Sequence, residues 1–478
     1  MFKQPRWIAM ENNIEELVQM IDNDLFEVVS SCLESLKEEE KPDKADVSVV
    51  TKMVKSLANI SFKTKLIEQL QSLYKCNAKT WLSQLNANDY LIGLEDCVFD
   101  FKHGCFREGL PEDMVTMSTG HTREDVEMGA DLEDLIMHSL GEMHESPEVF
   151  DYVLNVLATS VVGARPVDRF SIWTGTCANG KGLTKNLCAT ALGEYYYEPS
   201  ATVFSDRAVS SSCLSSELAK LRSKRLCITS EAEPGAKLRA GLLKQCSGHD
   251  LVQARDMWQS AGEFRCNANI VLCFNEVPGV DDSSGGIARR LEMVRFSFKF
   301  VDRPAQTHEK KINTDLQEKF SSIKFGACFL GILIRRFQDN GFQFARPDCV
   351  SREAADYLCE NDVLGEFLEA TFIQTEDLSD KVSLKEMFRT QRGDNTYNKQ
   401  LGFTVSRKLS QKLKMKNIVV QKSNGEVWVR GFKFRDFAAH SDDMYFNLLT
   451  CPMHTHQLRA PGSTAHACGI CAEVVHPC

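Results

Sequence analysis

The residues best suited to chemistry lie at 169–182, where RFSIWTGTCANGKG places a short apolar run before a glycine-rich turn that ends in Gly180 and Lys181. Glycines let backbone N–H groups converge on phosphate oxygens, and the Lys181 ammonium adds positive charge at the far end of a triphosphate. The next segment, LTKNLCATAL, predicts a helix whose N-terminal dipole faces the same phosphates. The spacing therefore predicts a Walker A loop for ATP. Its nucleotide-binding residues are then Gly175, Thr176, Cys177, Ala178, Asn179, Gly180, Lys181, Gly182 and Leu183.

One residue of this loop departs from the usual Walker A pattern. Gly182 stands where a serine or threonine usually offers its hydroxyl to Mg²⁺. Thr184 is a poor replacement, because two residues along a helix turn a side chain to nearly the opposite face. We expect ATP and Mg²⁺ as cofactors, with the affinity for Mg²⁺ affected by this glycine.

Two later apolar runs end in polar side chains that suit phosphate chemistry. RLCITSEAEPG predicts a buried strand followed by Glu231 and Glu233, and NANIVLCFN predicts another that ends at Asn275. A carboxylate at a strand end beside a phosphate loop binds Mg²⁺ or polarises the attacking water. We assign Glu231 to the metal, Glu233 to general-base assistance, and Asn275 to sensing the terminal phosphate or the water. The simpler interpretations are a solvated acidic turn and a turn asparagine.

Basic residues follow in two further places. The loop GGIARR carries Arg289 and Arg290, and an arginine supplied across a subunit boundary stabilises charge on a transferred phosphoryl group. Paired loop arginines are otherwise surface ion-pair partners. The segment LLKQCSGHDLVQARDMWQSAGEFRCN mixes basic and aromatic residues as single-stranded DNA binding requires, although an amphipathic helix and hairpin give the same pattern. Its candidate DNA contacts are Lys244, His249, Arg255 and Arg265, beside the aromatic Trp258 and Phe264.

The whole chain has the composition of a globular protein with more than one domain. It has 478 residues, 43% hydrophobic and 26% charged, and a net charge of −10, which disfavours indiscriminate DNA binding. No apolar run reaches the roughly 18 residues of a membrane helix, and the amino terminus lacks the apolar core of a signal peptide. We therefore expect an intracellular protein without a membrane partner, whose 18 cysteines are mostly reduced and buried.

Hydrophobic periodicity divides the chain into five regions. A helical amino-terminal region (1–75) precedes a region of short strands and helices (76–165). In the third region (166–345) β runs alternate with helical stretches, as in a nucleotide-binding α/β domain, and GACFLGILI within it predicts a buried helix or strand. A basic domain (346–440) and a Cys- and His-rich tail (441–478) complete the chain.

The basic domain holds the strongest charge asymmetry. Residues 381–435 contain fourteen lysines and arginines against three acids. Their pattern predicts helix, helix, strand, turn and strand, with Asn424 and Gly425 as the hairpin turn. Such a surface suits salt-dependent binding to nucleic-acid backbone, and a solvated basic helix face is the alternative. The candidate contacts are Arg407, Lys408, Lys412, Lys414, Lys416 and Lys422.

The tail contains two pairs of potential metal ligands. Cys451 and His454 precede Cys468 and Cys471, with thirteen residues between the pairs. Thiolate and imidazole groups on two tight turns suit a small tetrahedral zinc site. The alternative is a disordered tail in which cysteine and histidine occur incidentally.

The motifs in this order resemble the superfamily III helicases, specifically the poxvirus- and phage-type primase–helicase family of large DNA viruses and phages. The resemblance runs through GTCANGK, SEAE, K-x-x-SGHD-x-x-x-AR, the apolar run to FNEVP, and GGIARRL-x-x-VRF, and it covers about residues 75–437. The segment beginning NANDYLIGLEDCVFDF is similar to the domain that precedes the helicase core. Residues 363–437 are similar to the family's carboxyl-terminal winged helix.

The resemblance implies an α/β P-loop NTPase (AAA-like) core with a helical amino-terminal region and a carboxyl-terminal winged helix. It also implies a homo-hexameric ring that hydrolyses ATP between subunits and translocates on single-stranded DNA in viral replication. No primase domain is recognised in residues 1–75, so a separate primase or other replication protein is an expected partner. The residue roles that the resemblance implies are phosphate binding by Lys181, a Walker B pair at Glu231 and Glu233, a sensor at Asn275, an arginine finger at Arg289 or Arg290, and a DNA-coupled motif at Lys244, His249, Asp250 and Arg255.

Other functions stay open beside an ATP-dependent DNA helicase. Gly182 is also compatible with a nucleotide-gated DNA-binding scaffold that hydrolyses ATP weakly or not at all. A P-loop kinase is a weaker alternative, because the loop arginines and the basic domain have no role in it. The helicase interpretation predicts a location in the host cytoplasm or a viral replication compartment.

Overall fold

The computed structural model describes most of the chain. The described residues are 2–8, 13–38, 43–128, 130–205, 216–230, 237–248, 250–255, 262–280, 285–394, 397–398, 401 and 406–435. The chain divides into two compact units, Met1–Asn361 and Asp362–Cys478. The boundary predicted after residue 345 therefore lies inside the first unit.

The first unit begins with a short hairpin and a group of amphipathic helices. Their bounds are β1 (Phe2–Lys3), β2 (Arg6–Trp7), α1 (Asn13–Met20), a π-helical turn (Ile21–Leu25), α2 (Phe26–Glu38), α3 (Lys44–Leu57) and α4 (Ile60–Gln84). The side chains of Asp43 and Asn59 cap α3 and α4 by accepting hydrogen bonds from backbone N–H groups. The boundary predicted after residue 75 falls inside α4, because neither glycine nor proline interrupts this helix.

A small antiparallel sheet and three helices come next. Their bounds are β3 (Leu91–Gly93), β4 (Val98–Asp100), β5 (Cys105–Arg107), α5 (Arg123–Glu127), α6 (Ala130–Gly141) and α7 (Pro147–Ala158). The three strands pair in the order β3-β4-β5. Thr122 and Ser146 cap α5 and α7, so short polar residues begin these helices as their types predict. The buried side chains of α7 pack in the same hydrophobic cluster as side chains of the central sheet.

A parallel sheet forms the centre of the first unit. From Phe170 to Glu360 the elements are β6 (Phe170–Thr174), α8 (Lys181–Leu192), β7 (Tyr196–Tyr197), β8 (Leu226–Ile228), β9 (Lys237–Leu238), α9 (Ala240–Ser247), β10 (Leu251–Ala254), β11 (Gly262–Arg265), β12 (Asn269–Phe274), β13 (Gly279–Val280), α10 (Gly285–Ala288), β14 (Leu291–Arg295), β15 (Lys299–Val301), β16 (Glu309–Lys311), α11 (Asp315–Phe320), α12 (Ile323–Asn340) and α13 (Asp348–Glu360). Five of these strands pair in the order β14-β6-β12-β8-β7, all parallel. The predicted α/β core is confirmed.

The sheet is covered on both faces, which explains its continuous apolar runs. Along β12, Val271 and Cys273 pack into one hydrophobic cluster, and Ile270 and Leu272 pack into the other. The first cluster includes α8 and α12, whose GACFLGILI run is a buried helix. Within the described ranges no helix combines the length and apolarity needed to cross a bilayer.

The second unit has its own hydrophobic core. Its elements are α14 (Val363–Thr371), β17 (Phe372–Gln374), β18 (Lys381–Ser383), α15 (Leu384–Gly393), α16 (Ser406–Met415), β19 (Val420–Ser423), β20 (Glu426–Arg430) and β21 (Phe432–Phe434). The strands β18, β20 and β19 form an antiparallel sheet in that order. The predicted hairpin turn between β19 and β20 is confirmed, with φ values of 52° at Asn424 and 81° at Gly425.

Candidate functional site

The glycine-rich loop leaves the carboxyl end of β6 and enters α8 at Lys181. Three of its residues have positive φ, namely Gly175 (146°), Ala178 (60°) and Gly180 (92°). A Cβ atom on Gly175 would overlap the carbonyl oxygen of Phe296, so the close approach of backbone requires glycine there. The strand, the turn and the helix N-terminus thus occur in the order that a phosphate-binding loop needs.

The Lys181 side chain connects the loop to the neighbouring strand. Its Nζ atom donates to the carbonyl oxygens of Gly175 (2.6 Å) and Phe274 (3.0 Å) and to Oδ1 of Asn275 (3.3 Å). Asn275 follows β12, which pairs in parallel with β6, so both polar groups leave the same edge of the sheet. Lys181 is only 6% exposed. A buried ammonium surrounded by oxygen acceptors is a charge held ready for an anion.

Other contacts fix the shape of the loop. The backbone N–H of Phe300 donates to the carbonyl oxygen of Ala178 (2.7 Å), and the Asn275 amide donates to Sγ of Cys177 (3.6 Å). Oδ1 of Asn179 accepts from the backbone N–H of Lys181 (3.2 Å). The Nδ2 atom of Asn179 is buried without a hydrogen-bond partner in the part of the chain that the structure describes. A buried amide donor of this kind suits a phosphate oxygen.

The two residues that bear on Mg²⁺ differ in their surroundings. A Cβ atom on Gly182 would meet nothing within 4 Å, so the backbone leaves room for a side chain there. Thr184 is 2% exposed, and its hydroxyl lies 3.2 Å from the Gly180 carbonyl oxygen and 3.4 Å from Sδ of Met143. Its hydroxyl therefore faces the helix and Met143, in agreement with the expectation that Thr184 does not replace the usual metal ligand.

A cavity of about 480 Å³ opens at the loop. Its walls contain residues 177–183, Asn275 and Phe300, together with side chains of α6 and of the segment 311–317. This volume lies within the range of small-molecule binding sites, which is roughly 300–1,000 Å³. The loop thus adjoins a space large enough for a nucleotide.

The predicted Walker B carboxylates, Glu231 and Glu233, lie outside the described residues. Their strand, β8, pairs in parallel with β12 on the side away from β6. The last described residues before them are Thr229, whose hydroxyl accepts from the Cys273 backbone N–H, and Ser230. The chain therefore leaves β8 at the same sheet edge as Lys181 and Asn275.

The paired arginines have different environments. Nη2 of Arg290 lies 2.7 Å from Oδ2 of Asp168, and its Nη1 donates to the carbonyl oxygen of Gly286. The Arg290 side chain is 11% exposed, whereas that of Arg289 is 65% exposed and lies 3.6 Å from the same Asp168 carboxylate. Arg290 therefore holds its own loop, and Arg289 projects into solvent.

The segment predicted to contact DNA contains α9 and an antiparallel hairpin of β10 and β11. Lys244 lies in the last turn of α9, and Arg255 and Arg265 are exposed at the hairpin. Phe264 is 8% exposed and packs in the core, so it is not available to stack on a base. His249 and Trp258 lie outside the described residues.

Two arginines lie near the end of α9. Arg165 donates to the carbonyl oxygens of Ala268, Cys246 (3.0 Å) and Gly248 (3.4 Å). A Cβ atom on Gly248 would lie 3.5 Å from Nη2 of Arg290. The predicted DNA-coupled motif is thus adjacent to the arginine loop.

In the second unit the basic residues concentrate on α16. Leu409 and Leu413 are fully buried, while Arg407, Lys408 and Lys414 are exposed on the other side. Lys412 is partly buried, and Lys416 pairs with Asp362. The proposed zinc ligands Cys451, His454, Cys468 and Cys471 lie outside the described residues, and within those residues no cluster of three potential metal ligands occurs.

The structure adds two residues that sequence motifs do not indicate, Met143 and His144. A Cβ atom on Gly180 would overlap the Met143 side chain, so this methionine abuts the loop. The His144 ring lies 4.8 Å from that of Phe296, whose carbonyl oxygen contacts Gly175. Burial, with a smaller effect of the Lys310 charge, lowers the pKa of His144 to about 4, so His144 is neutral at pH 7.

Comparisons with known proteins show which proteins this chain resembles. Residues 3–143 match the family model described as D5 N terminal like. A mimivirus protein named as a candidate helicase, L207/L206 of Acanthamoeba polyphaga mimivirus, is 26% identical over 410 residues, which cover 82% of this chain and 42% of that protein. Primase D5 of Fowlpox virus is 24% identical over 261 residues, covering 50% of this chain and 32% of the primase. The chain is therefore similar to a primase and to candidate helicases of large DNA viruses, and residues 3–143 match the D5 N terminal like model.

Further comparisons show how much of each relative this chain covers. The candidate helicase 121R of Invertebrate iridescent virus 3 is 24% identical over 326 residues, which cover 64% of this chain and 34% of 121R. The chain thus spans less than half the length of the curated relatives it matches. The solved C-terminal region of NrS-1 shares 12% identity and a TM-score of 0.37, covering 63% of this chain and 76% of that one.

Proposed function

We propose that this chain is an ATP-dependent DNA helicase of the superfamily III type, a ring-forming motor that moves on single-stranded DNA during viral replication. The observation that carries the proposal is the contact of the Lys181 ammonium with Asn275 at the ends of two adjacent parallel strands, beside a cavity of about 480 Å³. A lysine and a strand-end amide in this relation suit the terminal phosphate of a triphosphate.

ATP with Mg²⁺ is the cofactor that this arrangement fits best. Backbone N–H groups of the loop, the Lys181 ammonium and the unpaired Asn179 amide supply donors for phosphate oxygens. Bound Mg²⁺ would neutralise phosphate charge. Because Gly182 offers no hydroxyl and that of Thr184 faces Met143, the metal would rely on phosphates, water and the strand-end carboxylates Glu231 and Glu233.

The arginine loop supports a site shared between subunits. The Arg290 side chain is 11% exposed and bonds to Asp168 and Gly286 of its own chain, whereas that of Arg289 is 65% exposed and farther from Asp168. Arg289 is therefore the residue we assign to the phosphates of a neighbouring subunit. An arginine supplied in this way stabilises the charge that develops during phosphoryl transfer. A homo-hexamer is the assembly proposed with it.

DNA contacts are proposed in both units, each considered separately. In the first unit Lys244, Arg255 and Arg265 lie on or beside the β10–β11 hairpin, next to the arginine loop through Gly248. In the second unit, the order helix, strand, helix, helix and hairpin supports a winged helix with α16 as its basic surface helix. Clustered lysines and arginines neutralise phosphates without reading sequence.

The rest of the replication assembly belongs to the proposal as well. Since the chain covers less than half of its relatives' length, a primase activity would come from another polypeptide or another segment. The predicted location, in the host cytoplasm or a viral replication compartment, goes with this function. Zinc binding by the tail stays a prediction.

A nucleotide-gated DNA-binding scaffold is the second candidate, and the geometry at Gly182 and Thr184 favours it. Weak metal binding would leave ATP bound and slowly hydrolysed. Restoring the hydroxyl separates the two functions, because the backbone at residue 182 has room for it. If the chain is a scaffold, the wild type hydrolyses almost no ATP, and Gly182→Ser raises ATP turnover severalfold at limiting Mg²⁺. If the chain is a motor, the wild type already hydrolyses ATP, and the variant chiefly lowers the Mg²⁺ concentration that it requires.

The test of the proposed function combines three measurements on the full chain. We would measure steady-state ATP turnover with and without single-stranded DNA. We would also measure strand displacement at two salt concentrations, and the mass of the particle with and without nucleotide. The motor predicts DNA-stimulated turnover, displacement, and a ring that depends on or is strengthened by nucleotide. Tight ATP binding without turnover would replace it by the scaffold, and equal turnover by isolated monomers would exclude a shared site.

A further inference from the structure

The cavity at the loop has walls of two chemical kinds. One kind consists of the loop backbone, Lys181 and Asn275, which suit phosphate. The other kind is formed by α6 and the segment that leads into α11, where the apolar side chains of Leu135, Ile312 and Leu316 lie among polar ones such as Ser139 and Asn313. Apolar walls with a few polar groups are typical of sites that bind the organic part of a ligand.

The apolar walls are fixed to the loop and to α8 by direct contacts. At the end of α6, Met143 abuts Gly180, and the Lys310 ammonium donates to the carbonyl oxygen of Glu142 (2.5 Å). On the other side, the Thr190 hydroxyl of α8 donates to the Phe320 carbonyl oxygen of α11 (3.3 Å). Leu316 is 8% exposed and Ser139 5%. The positions of these side chains are therefore fixed by contacts within the protein and do not depend on a bound ligand.

We propose that this apolar part of the cavity binds the base and sugar of the nucleoside triphosphate, so that α6 takes part in nucleotide recognition. The inference rests on the proposed function, because it assumes that the loop binds the phosphates. It gives the segment matched by the D5 N terminal like model, residues 3–143, a role in the ATPase site through Leu135 and Ser139. Contacts to the base would come from the Leu135 and Leu316 side chains, with the Ser139 hydroxyl available to a base edge.

A pair of ligands separates the base site from the phosphate site. ADP and inorganic pyrophosphate carry the same diphosphate, and only ADP has a base and a sugar. We would titrate the full chain with ADP and with pyrophosphate in the presence of Mg²⁺, using isothermal titration calorimetry. The affinities of the wild type and of Leu135→Ala are then compared. We expect Leu135→Ala to weaken ADP binding about tenfold, since a leucine contact is lost, and to leave pyrophosphate binding unchanged.

A matched control lies on the same helix. Leu132 is also a partly buried leucine of α6 that packs against the core and does not line the cavity. Leu132→Ala is expected to leave both affinities unchanged. Should Leu135→Ala fail to fold, Ile312→Ala at a 38% exposed position is expected to weaken ADP binding about threefold without affecting pyrophosphate, as fits a smaller buried contact.

The outcomes distinguish the two proposals. If the cavity variants weaken ADP and pyrophosphate equally, or weaken neither, the base site is wrong while phosphate binding by the loop stands. If the folded wild type binds neither ligand, the proposed nucleotide function fails and the base site fails with it.

Discussion

The loop end of the central sheet and the basic helix α16 both carry lysines suited to phosphate, but they differ in how the lysines are held. Lys181 is 6% exposed and donates to three oxygen atoms from two strand ends. Lys408 and Lys414 are exposed on a helix whose Leu409 and Leu413 are buried. The first is a single position fixed by packing, and the second is a diffuse field of charge.

This difference sets the expected response to substitution. A fixed, desolvated charge interacts strongly and has no substitute, because the surrounding backbone admits no second cation in its place. Exposed charges act through a screened potential, and each contributes a similar small share. Substitutions at the loop should therefore act in an all-or-none manner, and those on α16 should act additively.

The largest effect is expected for Lys181→Ala. The variant loses the ammonium that faces the phosphates and leaves the acceptors of Gly175, Phe274 and Asn275 without their donor. We expect turnover of ATP to fall at least about 100-fold, the scale of removing one donor at a developing charge. Steady-state phosphate release measures it. The control is Lys185→Ala on the same helix; the Lys185 side chain pairs with Glu198, and this variant should retain activity. If both variants lost activity equally, the effect at Lys181 would be one of folding.

A second effect, of about 100-fold, is expected for Arg289→Ala, and it should appear only in the assembled state. Arg289 is exposed, so its loss should leave folding and ATP binding unchanged while lowering kcat, because phosphoryl-transfer charge goes unstabilised. Mixing Arg289→Ala with Lys181→Ala should restore activity at mixed interfaces if the site is shared.

The neighbouring arginine sharpens the same comparison. Arg290→Ala removes the 2.7 Å ion pair with Asp168 and the hydrogen bond to Gly286, and we expect a lower unfolding temperature for this variant. A stable Arg290→Ala chain with lost turnover, beside a fully active Arg289→Ala, would reverse the two assignments.

Much of this site follows from sequence because parallel strands deliver their ends to one edge. The apolar runs before Gly175 and Asn275 predict buried strands, and the structure adds the direct pairing of β6 with β12 that brings Lys181 to Asn275. The turn at Asn424 and Gly425 is local. There the chemistry of two adjacent residues determines the geometry.

Other features depend on contacts between distant segments. Arg289 and Arg290 differ in burial and in their distance from Asp168, and no pattern around GGIARR indicates this difference. Met143 and His144 reach the loop through the packing of α6 and α7 against α12, the helix that also packs against α8, and periodicity does not specify these contacts. The burial of Phe264 likewise follows from which face of β11 meets the core, because a short strand can present either face.

A smaller effect is expected from pH through His144. Its pKa is lowered to about 4 by burial, against about 6.5 in the unfolded chain. As the pH falls, His144 is therefore protonated in the unfolded chain before it is protonated in the folded one. The free energy of unfolding that His144 contributes above pH 6.5 is lost as the pH falls towards 4. From pH 7 to pH 5 this loss is about 2 kcal/mol. His144→Phe keeps a ring beside Phe296 and should lose less stability over that range in urea titrations; identical pH profiles would refute the buried neutral histidine.

The smallest effects are expected on α16, from Lys408→Gln and Lys414→Gln. Each change removes one exposed charge, so affinity for single-stranded DNA should fall about two- to threefold and the salt dependence should lose less than one unit of slope. The double variant should show the product of the two, as screened and independent charges require. Lys65→Gln, an equal charge change at an exposed position of α4, controls for net charge. Fluorescence anisotropy over a series of salt concentrations measures the DNA affinity of the two single variants, the double variant and the control. If one substitution on α16 alone abolished binding, that lysine would make a fixed contact of the kind seen at Lys181.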